Sequence, residues 1–320
     1  MFSLLGLNLK EPKENFLYDL IIIGGGPAGI TAAIYSARKN LSILLLTKDL
    51  GGQILLTSEI ENYPGFQYIT SKELAEKFTT QLTNFPISLG LGIEVNNIKK
   101  ENNIFLVKTT DNKTYQGKTV IIATGRSPKP LNLPNEKELL GRGVSYCATC
   151  DAPLFKNKDT AVIGGGNSAV ISAIELAKIC KKVYLIVRSE IKADYILKER
   201  LNKFNNVNIL LRHLPKAILG KEKVSGILVY DQLNNKEYEI PVDGVFIEAG
   251  MKPNTEFLKG FLDLNDKGEI IVNCNCETNV PGIFACGDCT SVEDKQIIIA
   301  CGEGAKASLQ AFKYLLSSQF

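Results

Sequence analysis

Apolar runs with strand character and stretches with helical spacing alternate along this chain. Residues 19–23, DLIII, form a short run rich in β-branched side chains. GGGPAG follows at once, and apolar residues then recur at helical spacing through ITAAIYSARKN. The pattern predicts a strand, a tight glycine turn and a helix. A second strand, LSILLL, ends near Asp49. The same grammar returns at TAVIGG, where Gly164-Gly165-Gly166-Asn167-Ser168-Ala169 makes the turn, VISAIELAKIC the helix and KKVYLIV the next strand. Two further buried strands are predicted at 119–125, TVIIATG, and at 282–289, GIFACGDC, the latter closing on Asp288. A long C-terminal helix is predicted over 296–316.

Gly24, Gly26 and Gly29 fit GxGxxG in the context that motif needs. The first glycine makes the turn, the second lets a pyrophosphate approach the backbone, and the third lets helix and strand pack closely. Amides at the helix N-terminus then receive phosphates. One such motif is weak evidence, but two in register point to two dinucleotide folds. Asp49 stands about where a ribose-binding acid belongs in the first. The fold class is therefore α/β, with two Rossmann-like, three-layer dinucleotide-binding domains, the second inserted in the first. The expected division is 1–126 with 249–320 for the discontinuous domain and 127–248 for the insert.

Composition narrows the function. The 320 residues carry 37 basic and 34 acidic side chains, a formal net charge of +3, which is too balanced for a nucleic-acid binder. Basic clusters such as Lys181-Lys182 and Arg188 to Lys192 read as solvated faces. The first residues, MFSLLGLNLKEPKENF, have no basic residues ahead of the apolar stretch and no small-residue cleavage site, so no secretory signal is expected. Apolar segments such as 20–34 are broken by Gly and Pro, and no membrane span is expected. A soluble, cytoplasmic protein is the expectation.

Eight cysteines in a large cytosolic chain should mostly be reduced, so a working pair is more plausible than a structural one. Cys147 and Cys150 form a CxxC, a spacing that serves metal clips, structural staples and disulfide exchange alike. A working dithiol needs one sulfur to attack a disulfide and a second to resolve the mixed disulfide, and CxxC supplies both. Asp151 follows directly, and the single histidine, His213, is distant in sequence, which makes the carboxylate the better proton carrier. Cys274, Cys276, Cys286 and Cys289 are dense enough for a metal or cluster. The second pair brackets Asp288 and the first lies along an apparent strand, so no metal is expected there. Cys180 and Cys301 read as helix core residues.

In order and spacing, GGGPAG, GGQ with ENYPG, ATG, CATCD, GGGNSA and GDC with KQ resemble the low-molecular-weight thioredoxin reductases, FAD-dependent disulfide reductases, over nearly the whole chain. The resemblance implies FAD held by Gly24, Gly26, Ala28, Gly29, Gln53, Asn62, Gly125, Asp288, Gln296 and Ile297. It gives Cys150 the flavin-facing role, Cys147 the attack on thioredoxin and Asp151 the proton transfers. It also implies a homodimer and rotation of the inserted domain between reactions. Glutathione-type reductases are disfavoured, because their redox pair lies near the N-terminal nucleotide motif, and GGQILLTSEIENYPG contains no cysteine.

The chain departs from that family at the second nucleotide site, implied at Gly164, Gly166, Asn167, Ser168, Arg188, Ser189 and Lys192. The family pattern HRRxxxR is replaced by Val187-Arg188-Ser189-Glu190-Ile191-Lys192, and the usual acidic pair after the turn is Ile171-Ser172. Glu190 puts negative charge where a 2′-phosphate would sit. NADPH through Arg188 and Lys192, NADH with Glu190 on the ribose, or no pyridine nucleotide at all are the three readings. The last resembles a ferredoxin-linked branch of the group and is preferred, with lysines such as Lys295 as contacts for an acidic ferredoxin. A non-turnover redox sensor is the remaining alternative.

Overall fold

The computed structural model describes residues 9–56, 59–60, 62–146 and 148–318. Most of the apolar N-terminal stretch and Cys147 lie outside the described residues. The chain divides into two compact units, Met1–Ser127 with Lys252–Phe320, and Pro128–Met251. The described helices are α1 Pro27–Ala37, α2 Ser71–Thr83, α3 Ala148–Asp151, α4 Asn167–Ala177, α5 Tyr195–Leu201 and α6 Ile297–Ser317. Among the described residues no helix is long and apolar enough to cross a membrane.

In the first unit the sheet order is Ser88–Leu91, Ile43–Thr47, Leu17–Ile23, Thr114–Ile122, Ile104–Thr109 and Val95–Glu101, and Ile283–Ala285 pairs in parallel with Thr114–Ile122. Side chains from both faces are buried, which is why these strands read as continuous apolar runs. Register matters most here. Ile23 lies opposite Leu46 and Ile122, and Ala285 opposite Ile122, so three strands stop at one level and Ile43–Thr47 one residue beyond it. The backbone bonds Gly24 N–H to Leu46 O, Ala123 N–H to Ile23 O and Cys286 N–H to Ile122 O carry that alignment one residue further. Helices α1 and α6 pack tightly, since a Cβ on Gly304 would lie 2.1 Å from Ala28 O.

In the second unit five parallel strands run in the order Val144–Ser145, Gly244–Ile247, Asp159–Ile163, Lys182–Val187 and Val207–Leu211. An antiparallel sheet of His213–Leu219, Gly226–Asp231 and Lys236–Ile240 accompanies them. Cores lie on both faces of the parallel sheet.

Two local expectations need correction. The helix expected over 170–180 stops at Ala177, and Cys180 sits buried in the following turn rather than in the helix. The Asn206 amide donates to Ala177 O and Cys180 O at 2.9 and 3.0 Å, satisfying carbonyls that a continued helix would have used. Cys274 to Cys276 is a turn, not a strand, with Cys276 at φ +63°. Asn273 Oδ1 accepts from the amides of Asn275 and Glu277, closing the turn with a side chain.

Candidate functional site

In the first unit the turn after Leu17–Ile23 requires its glycines. Gly24 has φ +112°, and a Cβ there would stand 2.2 Å from Ala123 O. One on Gly29 would stand 1.8 Å from Gly24 O. Gly26 faces open space except for Gly52, whose Cα is 4.0 Å from the ideal Cβ position. Helix α1 begins here with Pro27, no side-chain cap and no acid in its first turn, leaving the amides of Ala28 and Gly29 directed at the opening. Asp49, expected near the ribose, accepts from Gly52 N–H at 3.0 Å through Oδ1 and braces the neighbouring turn.

The strand alignment brings distant residues to the same edge. Asp288 lies in the turn Gly287–Cys289, where Gly287 has φ +75°. Its Oδ2 accepts from Gln53 Nε2 at 3.3 Å and stands 3.2 Å from Arg126 Nε. Asn62 Nδ2 donates to Gln296 Oε1 at 3.1 Å, and Gln296 immediately precedes Ile297, the first residue of α6. Gly125, with φ +62°, has Gln53 Nε2 as its near neighbour. All ten residues expected to hold FAD thus belong to this unit.

Arg126 and Glu303 were not anticipated. Glu303, only 8% exposed on α6, accepts from Gly287 N–H at 2.6 Å, and burial pushes its carboxyl above the usual range. A single acid among Ala300, Gly304, Ala307 and Ala311 was the available signal. Arg126 Nε is buried and, although at ion-pair distance from Asp288, lies off the hydrogen-bond direction, so its N–H has no acceptor among the described residues. That orphaned donor, the open space at Gly26 and the uncapped amides of α1 fit an oxygen-rich dinucleotide such as FAD.

Lys295 does not fit a role in docking. Its side chain is 8% exposed, donates to Thr290 O at 2.5 Å and pairs with Glu269 at 3.6 Å, so the charge is used internally. Four cysteines of this unit are also committed, while Cys274 is exposed. Cys286 and Cys289 are buried, burial pushes both thiols up, and Cys289 Sγ points at Cys286 O and Ile122 O. Cys276 Sγ points at Glu303 O. Cys301 is buried on α6, beside Tyr63, whose hydroxyl is pushed up to about 12 chiefly by burial. Among the described residues no group of three or more His, Cys, Asp or Glu side chains is arranged to hold a metal ion.

In the second unit Cys150 and Asp151 lie on α3, and the segment is anchored on both sides. Upstream, the buried Glu136 accepts from the amides of Leu131 and Leu133 and from the hydroxyl of Tyr146, the residue before Cys147. Downstream, Ala148, Ala152 and Phe155 are buried, and Phe155 meets Phe246 edge to face at 5.2 Å. His213 is elsewhere in the fold, held by Leu211 O and Tyr238.

The second glycine turn is built like the first, where Gly51 N–H donates to Gly25 O at 2.8 Å. Gly164 has φ +149°, and a Cβ there would stand 2.4 Å from Glu248 O. Gly166 faces open space. The segment after Lys182–Val187 folds onto the turn, with Lys192 N–H donating to Gly165 O at 2.7 Å. Asn167 and Asp194 are locked reciprocally, Nδ2 to Oδ2 at 2.8 Å and Asp194 N–H to Oδ1 at 2.9 Å. Ser168, Arg188, Ser189, Glu190 and Lys192 are exposed. Ser172, in place of an acid, donates to the half-buried Glu248 at 2.7 Å, whose carboxyl is raised by burial.

Comparison with known proteins places this arrangement. The family model for pyridine nucleotide-disulphide oxidoreductase matches residues 18–304. The alkyl hydroperoxide reductase F protein of Staphylococcus aureus is 42% identical over 96% of this chain, which spans 60% of that relative's length. Among solved structures, thioredoxin reductase of Lactococcus lactis is 36% identical with TM-score 0.85, covering 94% of this chain and 100% of that one. That of T. acidophilum is 38% identical with TM-score 0.83, covering 94% and 99%. A ferredoxin-flavin thioredoxin reductase from Clostridium acetobutylicum is 34% identical with TM-score 0.52, covering 94% and 99%. On the fold, the first glycine turn and these matches together, the chain belongs to the pyridine nucleotide-disulphide oxidoreductase family and is similar in structure to its FAD-dependent, low-molecular-weight thioredoxin reductases.

Proposed function

We propose that this chain is a thioredoxin-disulfide reductase that takes electrons from ferredoxin and delivers them through the Cys147/Cys150 dithiol. The observation carrying the choice of donor is the second glycine turn. Its Asn167 is tied to the carboxylate of Asp194, and Glu190 and Ser189 stand where cations would hold a 2′-phosphate. In this reading 1–126 with 249–320 is the FAD domain and 127–248 is a nucleotide-domain-like insert whose task is to carry the dithiol.

FAD, when bound, joins a one-electron donor to a two-electron dithiol. Gly24, Gly26, Ala28 and Gly29 hold its phosphates by backbone approach, and Asp288, Gln53, Asn62, Gly125, Gln296 and Ile297 orient the remainder. The Cys147 thiolate attacks a sulfur of the thioredoxin disulfide, forming a mixed disulfide and releasing one thioredoxin thiolate. The Cys150 thiolate then attacks Cys147, closing the CxxC disulfide and freeing the second. Two electrons from two ferredoxin molecules reopen it. Asp151 moves the accompanying protons, and Tyr146 with Glu136 fixes the chain entering the dithiol. The protein acts as a homodimer, which light scattering tests.

Two observations support narrower alternatives. The open space at Gly166 and the uncapped start of α4 leave room for NADH, with Glu190 on the ribose. The identity to the alkyl hydroperoxide reductase F protein favours a protein disulfide of a peroxide-reducing system as the acceptor. The test is steady-state turnover with photoreduced ferredoxin and a thioredoxin. Sustained turnover supports the proposal. A single stoichiometric reduction would identify a sensor, and turnover only with NADH or only with a peroxidase disulfide would replace donor or acceptor.

A further inference from the structure

Arg126 follows the glycine that ends the ATG turn, at the edge where the parallel strands of the first unit stop. Its Nε is buried, lies 3.2 Å from Asp288 Oδ2, and has no hydrogen-bond acceptor among the described residues. An arginine has five donors in a rigid fork, and a buried donor left unpaired is destabilising unless something completes it. The fork is also only partly exposed, at 30% of its side-chain surface. Such a group is retained where a ligand or a nearby charge uses it.

The neighbouring charges show which use fits. Asp288 is an acid placed in the flavin site, and Glu303, one layer behind it, is a second buried acid bonded to Gly287 N–H. Lys295, the lysine nearest this turn by sequence, is held by Thr290 O and Glu269. Among the described residues Arg126 is the one cation paired with Asp288. Reduction of the cofactor by two electrons and one proton adds one negative charge to a half-buried site that already contains these acids. A fixed cation opposes that cost directly, because charges near a protein surface interact at low effective dielectric.

We propose that Arg126 sets the reduction potential of the bound flavin, its guanidinium offsetting Asp288 and favouring the reduced, negatively charged cofactor. Gln53 shares Asp288 Oδ2 with it, so the carboxylate is fixed by a neutral donor and a charged one. Loss of the charge alone should therefore leave the site shaped for FAD but harder to reduce.

The test uses flavin-loaded protein in a Cys150→Ser background, so that no electron passes to the dithiol, with Arg126→Gln and Arg126→Lys compared. The two-electron midpoint is read by equilibration with a reference dye, and FAD affinity by flavin fluorescence on apoprotein. Arg126→Gln should lower the ratio of reduced to oxidised flavin at fixed potential by about tenfold, equivalent to about 30 mV. Arg126→Lys should stay within about threefold of the parent, since it keeps the charge. An unchanged midpoint in Arg126→Gln overturns the proposal, and so does a tenfold loss in Arg126→Lys. If Arg126→Gln cannot retain FAD, Arg126→Met takes its place, with the same tenfold fall expected and an unchanged midpoint overturning the proposal. Neither ferredoxin nor thioredoxin enters the measurement, so its failure is distinct from failure of the proposed electron path.

Discussion

At Gly24 and again at Gly164 a parallel strand stops, the backbone turns with φ +112° and +149°, and a helix begins without a side-chain cap. Behind each turn a glutamate has a carboxyl raised by burial, the buried Glu303 in the first unit and the half-buried Glu248 in the second. The turns diverge in what surrounds them. Around the first, Gln53, Arg126, Asn62, Gln296 and Asp288 form a polar set with donors left over. In both, the segment after the next strand bonds back onto the middle glycine, Gly51 N–H to Gly25 O at 2.8 Å and Lys192 N–H to Gly165 O at 2.7 Å, and in the second Asp194 is also tied to Asn167, the first residue of α4. Each glycine turn provides room for a pyrophosphate, and in the proposed reading the segment after the next strand decides whether a nucleotide binds.

The largest expected effects separate the turns by substitution. Gly26→Leu should reduce flavin content in the purified protein to below about a tenth by blocking phosphate approach, while Gly166→Leu should leave it unchanged. Full flavin in Gly26→Leu would show that the first turn does not hold FAD. Cys147→Ser or Cys150→Ser should each lower thioredoxin turnover by more than about a hundredfold with FAD retained, because either change removes one partner of the exchange. Cys147→Ser should form no adduct with thioredoxin, whereas Cys150→Ser should trap it as a mixed disulfide seen on a non-reducing gel. The reverse pattern would exchange their roles. Asp151→Asn should slow turnover by about a hundredfold, and a rate unchanged across pH would reduce Asp151 to a structural role.

Much of this comparison was readable in the sequence because the features are local. Both strand, glycine and helix units, Asp288 and the altered segment 187–192 follow from short runs of residues. What escaped depends on strand register or on side chains that capture backbone. Arg126 meets Asp288 only because Ile122 and Ala285 end at the same level. Asn206 and Asn273 turned an expected helix end and an expected strand into turns, and no hydrophobic pattern reports such captures. Lys295 looked free as a charged residue near a loop, but its carbonyl and carboxylate partners are brought to it by folding.

Smaller effects sharpen the contrast. Replacing Ser189 and Glu190 by Arg, with Asp194→Ser to release Asn167, should strengthen NADPH binding by about tenfold or more per corrected charge, read by calorimetry. No gain would mean that the covering segment is not what excludes the 2′-phosphate. The smallest effect is in stability. The carboxyl of Glu303 is raised in the folded state, so its contribution is fully present below about pH 4.5 and is lost as pH rises through the folded value. Glu303→Gln should flatten that part of the stability curve followed by thermal unfolding, and an unchanged slope would remove Glu303 as its source.

The most direct measurement mixes the oxidised protein anaerobically with NADPH, NADH and reduced ferredoxin in turn while following flavin absorbance. The account predicts slow or absent bleaching with both nucleotides and complete bleaching with ferredoxin, at a rate that falls as salt rises. Rapid bleaching by micromolar NADPH would contradict it, showing that the second turn still accepts a 2′-phosphate and that this chain is an ordinary nucleotide-dependent reductase.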